Sequence, residues 1–196
     1  MMLVAAFDPG PEKTGWVMYA VNNGSVGSID CAEIASNDDL LRKLRLWTNH
    51  HGARHVVIEK IENYGMPVGV DVHETLMFVG RMIEVFERIG IKPVLVPRRT
   101  VKLHLCNSAK AKDSNIRQVL IDRFGPGKDR AIGGVKCPKC KGKGWAGREH
   151  APCPVCHGTK WKHPPGPLVN VKEDMWAALA VAVTYCETRE EAACGT

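Results

Sequence analysis

The sequence lacks any apolar run long enough to cross a membrane. Although 44% of its 196 residues are hydrophobic, no uninterrupted apolar stretch approaches the roughly 20 residues that a membrane-spanning helix needs. The first seven residues contain no basic side chain, whereas a secretory signal begins with one. We therefore expect no membrane partner and a protein of the cytoplasm, where cysteine thiols stay reduced.

Acidic residues are scarce in one part of the chain. Residues 98–162 contain 16 Lys and Arg but four Asp and Glu, a balance of +12, whereas the rest has 11 basic and 17 acidic residues, a balance of −6. This division favours phosphate contacts in one part and cation binding in the other. A solvated basic loop would give the same composition.

The spacing of apolar residues and turn signals predicts the order of the elements. Five strands are expected at residues 3–7, 15–21, 26–33, 55–59 and 92–96. Residues 22–25 make a hairpin turn. Helices are expected from a cap at Ser36 or Asn37 through Trp47 to Gly52, and at residues 71–89, 115–124 and 171–188. This order predicts an α/β protein with the RNase H-like fold, a mixed five-stranded sheet flanked by helices.

Residues 126–167 differ from the rest because they are rich in Gly, Pro, Lys and Cys. We expect them to form a small inserted module. Residues 1–125 and 168–196 then form one domain around the sheet.

Two carboxylates end predicted strands. Asp8 follows the first strand and Glu59 ends the fourth, where neither is needed for packing. Together with a carboxylate from the C-terminal helix, such a pair can hold Mg²⁺ ions, which prefer oxygen ligands. Two ions about 3.5–4 Å apart can activate water and stabilise the leaving oxygen of a phosphodiester.

Four motifs in this order resemble those of RuvC-type Holliday junction resolvases. They lie at residues 6–10 with 14–16, 56–59, 101–102 with 112–114, and 174 with 178–185. The resemblance covers most of the chain apart from the insertion, and it suggests a phage-encoded branch of the family.

The resemblance implies a function and a set of site residues. It implies an endodeoxyribonuclease, dependent on Mg²⁺ or Mn²⁺, that cuts Holliday junctions or other branched DNA. Asp8, Glu59 and Asp174 would hold the metals, and Lys112 or Lys102 would lie near the scissile phosphate. It also implies a homodimer.

The sequence departs from the family at Ala177, where a second Asp usually follows Asp174 by one helical turn. Two interpretations remain open. Either three carboxylates suffice in this branch, or Ala177 is a replacement that disables the enzyme. The second keeps open a different function, a non-catalytic protein that binds branched DNA. A third candidate function is an actin-like ATPase, because the phosphate loop of that fold also opens with Asp, Gly and Thr. Such an ATPase needs two domains of this kind, and 196 residues are too few for two.

Eight cysteines in a reducing compartment indicate metal binding more than disulfides. Cys137 and Cys140 form one CxxC pair, and Cys153 and Cys156 form a second after 12 residues, a spacing typical of a closed tetrahedral Zn²⁺ site. Each pair continues in a pattern similar to DnaJ-type zinc modules. His150 and His157 are substitute ligands. Four other cysteines are expected to be free thiols: Cys31, Cys106, Cys186 and Cys194.

The basic residues of the module are candidates for DNA contact, although its tryptophans could instead cover the zinc site. These residues are Lys139, Lys141, Lys143, Arg148, Lys160 and Lys162, with Trp145 and Trp161.

The helix at residues 71–89 carries two apolar rows about 100° apart. One row is Leu76, Val79, Ile83 and Phe86, and the other is Phe78, Met82, Val85 and Ile89. One row must face the sheet, and the second is either a dimer seam or further core.

Three residues on loops have two interpretations each. Tyr64 and Met66 either wedge into a DNA branch point or anchor their loop. Glu62 is either solvated or a substitute for Glu59. For Glu173, reciprocal capping of the last helix with Asn170 is favoured over metal binding.

Overall fold

The computed structural model describes residues 2–22, 27–46, 53–62, 65, 67–146 and 151–194. The chain divides into two compact units. The first unit is Met1–Arg117 with Val171–Thr196, and the second is Gln118–Asn170.

The first unit is built on a five-stranded mixed sheet in the order β3-β2-β1-β4-β5. β1 pairs antiparallel with β2 and parallel with β4, β2 pairs antiparallel with β3, and β4 pairs parallel with β5. This arrangement confirms the predicted fold class. The strands are β1 Met2–Pro9, β2 Lys13–Val21, β3 Ser28–Ser36, β4 His55–Lys60 and β5 Val94–Pro97.

Six helices are present in the described residues. They are α1 Asn37–Arg45, α2 Val70–Arg88, α3 Arg98–Cys106, α4 Asp113–Phe124, α5 Lys128–Ala131 and α6 Met175–Cys194. The sequence did not predict α3, which begins directly after β5 with Pro97 as its N-cap residue. None of these helices is long and apolar enough to cross a membrane.

The central strands are buried on both faces. Ala5 and Phe7 of β1 belong to a core with α1 and α2, while the alternate residues Val4 and Ala6 are also fully buried. Because successive side chains of a strand point to opposite faces, the sheet has helices on both sides. The apolar helix α6 contacts β1, β2 and β4.

Both apolar rows predicted for α2 contribute to the core, which is one of the two alternatives left open for the second row. The buried residues come from both rows and include Phe78, Val79, Met82 and Phe86. Leu76 from the first row is instead 46% exposed. The line that faces the core runs between the two rows, since they lie only about 100° apart on the helix.

The second unit carries two short antiparallel ribbons. Val135–Lys136 pairs with Trp161–His163, and Trp145–Ala146 pairs with Ala151–Pro152. The four cysteines of the CxxC pairs form their own buried cluster in this unit.

Candidate metal sites and the RuvC fold

Asp8 and Glu59 lie side by side because their strands are parallel neighbours. Phe7 of β1 is in register with Ile58 of β4, so the next residue of each strand reaches the same edge of the sheet. The two carboxyl groups are close enough for each to influence the pKa of the other. Glu59 is 7% exposed, in an otherwise apolar part of the sheet.

Burial next to a second carboxylate changes how both groups titrate. Burial, with the nearby charge of Glu59, raises the pKa of Asp8 to about 8. Burial also raises the pKa of Glu59, and the charge of Arg98 opposes this shift. Without a cation, the pair therefore retains a proton near neutral pH, and a divalent cation would displace that proton.

The turn that follows Asp8 is held by hydrogen bonds from the first residue of α1. Asn37 donates from Nδ2 to the carbonyl oxygens of Gly10 at 3.0 Å and Pro11 at 2.9 Å. The cap of α1 is Ser36, whose hydroxyl accepts from the Asp39 backbone N–H. Of the two cap residues considered, Asn37 thus has a different role, since it fixes the loop beside Asp8.

Asp174 reaches the same site from the start of α6. Its carbonyl oxygen accepts from the backbone N–H of Ala178 at 3.1 Å, in the first turn of the helix. The predicted start at residue 171 and the cap formed by Asn170 and Glu173 are wrong. Glu173 has a left-handed φ of 40°, and α6 begins two residues later at Met175.

One cleft of about 400 Å³ brings the three predicted carboxylates together. Ala177 also lines it, so an aspartate there would face the same space. Neither Lys102 nor Lys112 is among the described residues that line the cleft. Its lining residues are Asp8, Glu59, Arg98, Asp113, Ile116, Arg117, Glu173, Asp174, Trp176 and Ala177.

Sequence reasoning missed Arg98 as a residue of this site. Its Nη1 donates to both Glu59 oxygens, at 3.0 and 2.9 Å, and its Nη2 donates to Asp113 at 2.6 Å. A signal was available, since Arg98 directly follows β5 and β5 is the parallel neighbour of β4. Charged residues that end neighbouring parallel strands meet at one sheet edge.

The other predicted residues are not part of this cleft. Glu62 lines an adjoining pocket that also includes Asp8, Glu59 and Arg98, and its carboxylate lies 3.4 Å from Nζ of Lys60. Tyr64 and Met66 lie outside the described residues, as do Trp47 and Gly52 at the predicted end of α1 and most of the predicted hairpin at 22–25.

The four cysteines of the second unit meet the geometry of a zinc site. Their sulfur atoms all lie within 4.8 Å of one another, with Cys137 and Cys153 3.8 Å apart and Cys140 and Cys156 3.7 Å apart. A tetrahedron with Zn–S bonds of about 2.3 Å puts its sulfurs about 3.8 Å apart. The residues therefore fit a closed Cys₄ site.

The backbone that follows each CxxC pair has the same conformation. After the first pair, Lys141 and Gly142 have φ values of 50° and 84°, and after the second, His157 and Gly158 have 47° and 85°. Burial raises the pKa of Cys140, but hydrogen bonds from the backbone N–H groups of Gly144 and Gly142 and from neighbouring cysteines together lower it to about 6. Burial raises the pKa of Cys156 to about 11. His157 is exposed and outside the cluster, and His150 lies outside the described residues.

The remaining cysteines are consistent with thiols. Cys31, Cys106 and Cys186 are thiols outside any disulfide, as predicted, and the side chain of Cys194 is not among those described.

Comparison with solved structures identifies the fold. No family profile and no curated protein matches the sequence. A structure of T. thermophilus RuvC in complex with Holliday junction substrate superposes with a TM-score of 0.64 at 13% identity, over 98% of this chain and 97% of that chain. A second Thermus thermophilus RuvC structure gives 0.61 at 15% identity, over 100% and 98%. The chain therefore has the fold of RuvC, as its motifs predict.

Proposed function

We propose that the protein is a structure-specific endonuclease that cuts phosphodiester bonds in Holliday junctions or other branched DNA. The observation that carries the proposal is the convergence of Asp8, Glu59 and Asp174 on one cleft. They come from β1, β4 and the start of α6, in a fold shared with a RuvC whose structure holds a junction substrate.

The three carboxylates are suited to two Mg²⁺ or Mn²⁺ ions. Their donor atoms are all oxygens, which these cations prefer. When bound, the ions would activate water and stabilise the leaving oxygen. The chain's own part is to keep the oxygens in place, Glu59 by burial and Asp174 by its fixed position at the helix start.

A cleavage assay tests the proposal. A synthetic four-way junction and a linear duplex of the same sequence are incubated with the protein in Mg²⁺ and in EDTA. We expect paired cuts near the branch point of the junction in Mg²⁺ alone. Equal cutting of both substrates, or cutting in EDTA, would contradict the proposal.

A second candidate function is non-catalytic binding of branched DNA. Ala177 favours it, because this residue lines the cleft where the related motif has a carboxylate. Tight junction binding with no cleavage in Mg²⁺ or Mn²⁺ would support this alternative.

We further propose that the second unit binds one structural Zn²⁺ and touches the DNA backbone. Residues 118–170 contain 10 Lys and Arg and three Asp and Glu, a balance of +7. Six lysines of the module are exposed, and among the described residues none forms an ion pair: Lys136, Lys139, Lys141, Lys143, Lys160 and Lys162.

Unpaired lysines on a small module favour contact with phosphates, which releases counterions. Changing Lys139 and Lys141 to Gln should therefore reduce the dependence of junction affinity on salt by about one to two units of slope. An unchanged slope would remove these lysines from the interface.

We also propose a homodimer with α2 at or near its seam. Leu76 is 46% exposed and Met77 is 65% exposed on this helix, and a two-fold dimer would present two clefts to a two-fold junction. Sedimentation should show a dimer for the wild-type chain, and a dimer that dissociates at higher protein concentration for Met77→Glu. A wild-type monomer at micromolar concentration would contradict the proposal.

A further inference from the structure

Arg98 links a buried carboxylate to an exposed one. A single nitrogen, Nη1, contacts both oxygens of Glu59, and the other terminal nitrogen contacts Asp113. The Glu59 side chain is 9% exposed, the Arg98 side chain 32% and the Asp113 side chain 76%. The guanidinium therefore extends from a buried carboxylate toward solvent along the cleft.

The guanidinium and a metal ion would compete for Glu59. Without a divalent cation, Arg98 neutralises the buried charge of Glu59. A metal ion bound to Glu59 needs at least one of the two oxygens that Arg98 now contacts, and its charge repels the guanidinium. Arg98 would then keep its contact with Asp113, which anchors it at the first residue of α4.

The cleft offers few other cations to a phosphate. Among the described residues that line it, two are basic, Arg98 and Arg117. The guanidinium of Arg117 lies 4.6 Å from the ring centroid of Trp176, so it is engaged in stacking. Arg98 is the basic residue that directly contacts a proposed metal ligand, and a metal ligand lies beside the phosphate it helps to cut.

We propose that Arg98 is a catalytic residue that exchanges Glu59 for the scissile phosphate when metal binds. The inference rests on the proposed nuclease function. Before a metal ion binds, Arg98 would balance the charge of Glu59 through the contact seen here. In the complex with metal and DNA, its N–H groups donate to a non-bridging phosphate oxygen, for which a guanidinium is well shaped.

The test compares Arg98→Gln with Arg99→Gln, which removes the same charge from the exposed neighbouring residue. Mn²⁺ affinity is measured without DNA by electron paramagnetic resonance, and junction cleavage is measured at saturating Mn²⁺. Arg98→Gln should bind Mn²⁺ about fivefold more tightly than Arg99→Gln and cut about 100-fold more slowly. Arg98→Lys, which keeps the charge, should stay near the wild-type Mn²⁺ affinity. Thermal unfolding checks that each variant is folded.

The two measurements separate the possible failures. Mn²⁺ affinity that is unchanged or weaker in Arg98→Gln would overturn the competition for Glu59. Cleavage by Arg98→Gln at the rate of Arg99→Gln would overturn the phosphate contact. A wild-type chain that binds Mn²⁺ normally but cuts no junction would instead contradict the proposed function, and with it this inference.

Discussion

Asp174 lies so close to Gly15 that no larger residue fits at position 15. A Cβ atom built on Gly15 would stand 2.5 Å from the Asp174 carbonyl carbon and 2.7 Å from its Cβ. Gly15 is also the cross-strand partner of Asp8 in the β1–β2 ladder. The absence of a side chain at position 15 therefore allows Asp174, which directly precedes α6, to approach the strand that pairs with Asp8.

Changing Gly15 to Ala should damage the site more than the fold. The added methyl group must push away the backbone of Asp174, because backbone atoms cannot rotate aside as a flexible side chain can. We expect cleavage of a four-way junction to fall by about 100-fold, since small displacements of catalytic groups are costly.

Gly69→Ala is the matched control, because nothing lies within 4 Å of a Cβ at that position. Its cleavage rate should stay near that of the wild type. A Gly15→Ala variant that cuts as fast as this control would show that the close approach has no role in positioning Asp174.

Removing the Asp8 charge should stabilise the metal-free protein at high pH. A carboxyl group with a raised pKa favours the folded state below its unfolded pKa of about 4. That contribution is lost as the pH rises through its folded value of about 8. The free energy of unfolding of Asp8→Asn should therefore exceed that of the wild type by at least about 1 kcal/mol at pH 8 in EDTA.

Urea unfolding at pH 5 and pH 8 measures this difference. The advantage of Asp8→Asn should shrink toward pH 5, and added Mg²⁺ should stabilise the wild type but not the variant. A wild-type protein that is the more stable of the two at pH 8 in EDTA would contradict the description of the site.

The zinc module should depend on its metal while the sheet does not. Because thiolate ligands supply much of the folding free energy of such small units, we expect one Zn²⁺ per chain and its loss in Cys137→Ser. Elemental analysis measures the metal. Hydrogen exchange of Cys137→Ser should be faster than that of the wild type in residues 118–170 but unchanged in β1 and β4. Cys31→Ser, which changes a free thiol outside the module, is the control. A zinc-free wild type would contradict the site.

The strands that position the carboxylates were predictable from local signals. Asp8 and Glu59 each end an apolar run, and parallel pairing brings two such ends together. The start of α6 was mispredicted because Asn170 and Glu173 have the spacing of a cap, whereas Glu173 adopts a left-handed conformation and α6 starts after it, at Met175.

Contacts over long distances in sequence were harder to predict. Arg98 belongs to the site through its ion pairs with Glu59 and Asp113, 39 and 15 residues away. Its place directly after β5 predicts the edge of the sheet that it reaches, but not these two partners. The inward face of α2 combines residues from two apolar rows. The sequence predicts the period of this helix, but not how the helix is rotated about its own axis against the sheet.

Ala177→Asp distinguishes the two interpretations of the missing carboxylate. If three carboxylates form a complete site, the added negative charge next to Asp174 should change the cleavage rate by less than about tenfold, which is the outcome we expect. If the site lacks a ligand, the rate should rise by several orders of magnitude, because a metal ligand contributes several kcal/mol. The measurement is the single-turnover rate in Mg²⁺, and a large increase would show that the wild-type site is incomplete.

The most direct test of the central claim is junction cleavage by Glu59→Gln. Glu33→Gln is the matched control, since Glu33 pairs with Lys43 away from the cleft. Each variant is compared with the wild type for its single-turnover rate in Mg²⁺ and for its junction affinity in EDTA. We predict that Glu59→Gln loses at least about 1,000-fold in rate and keeps its affinity within a few-fold, while Glu33→Gln matches the wild type. Cleavage by Glu59→Gln at the rate of Glu33→Gln would contradict the claim that this cleft is the active site.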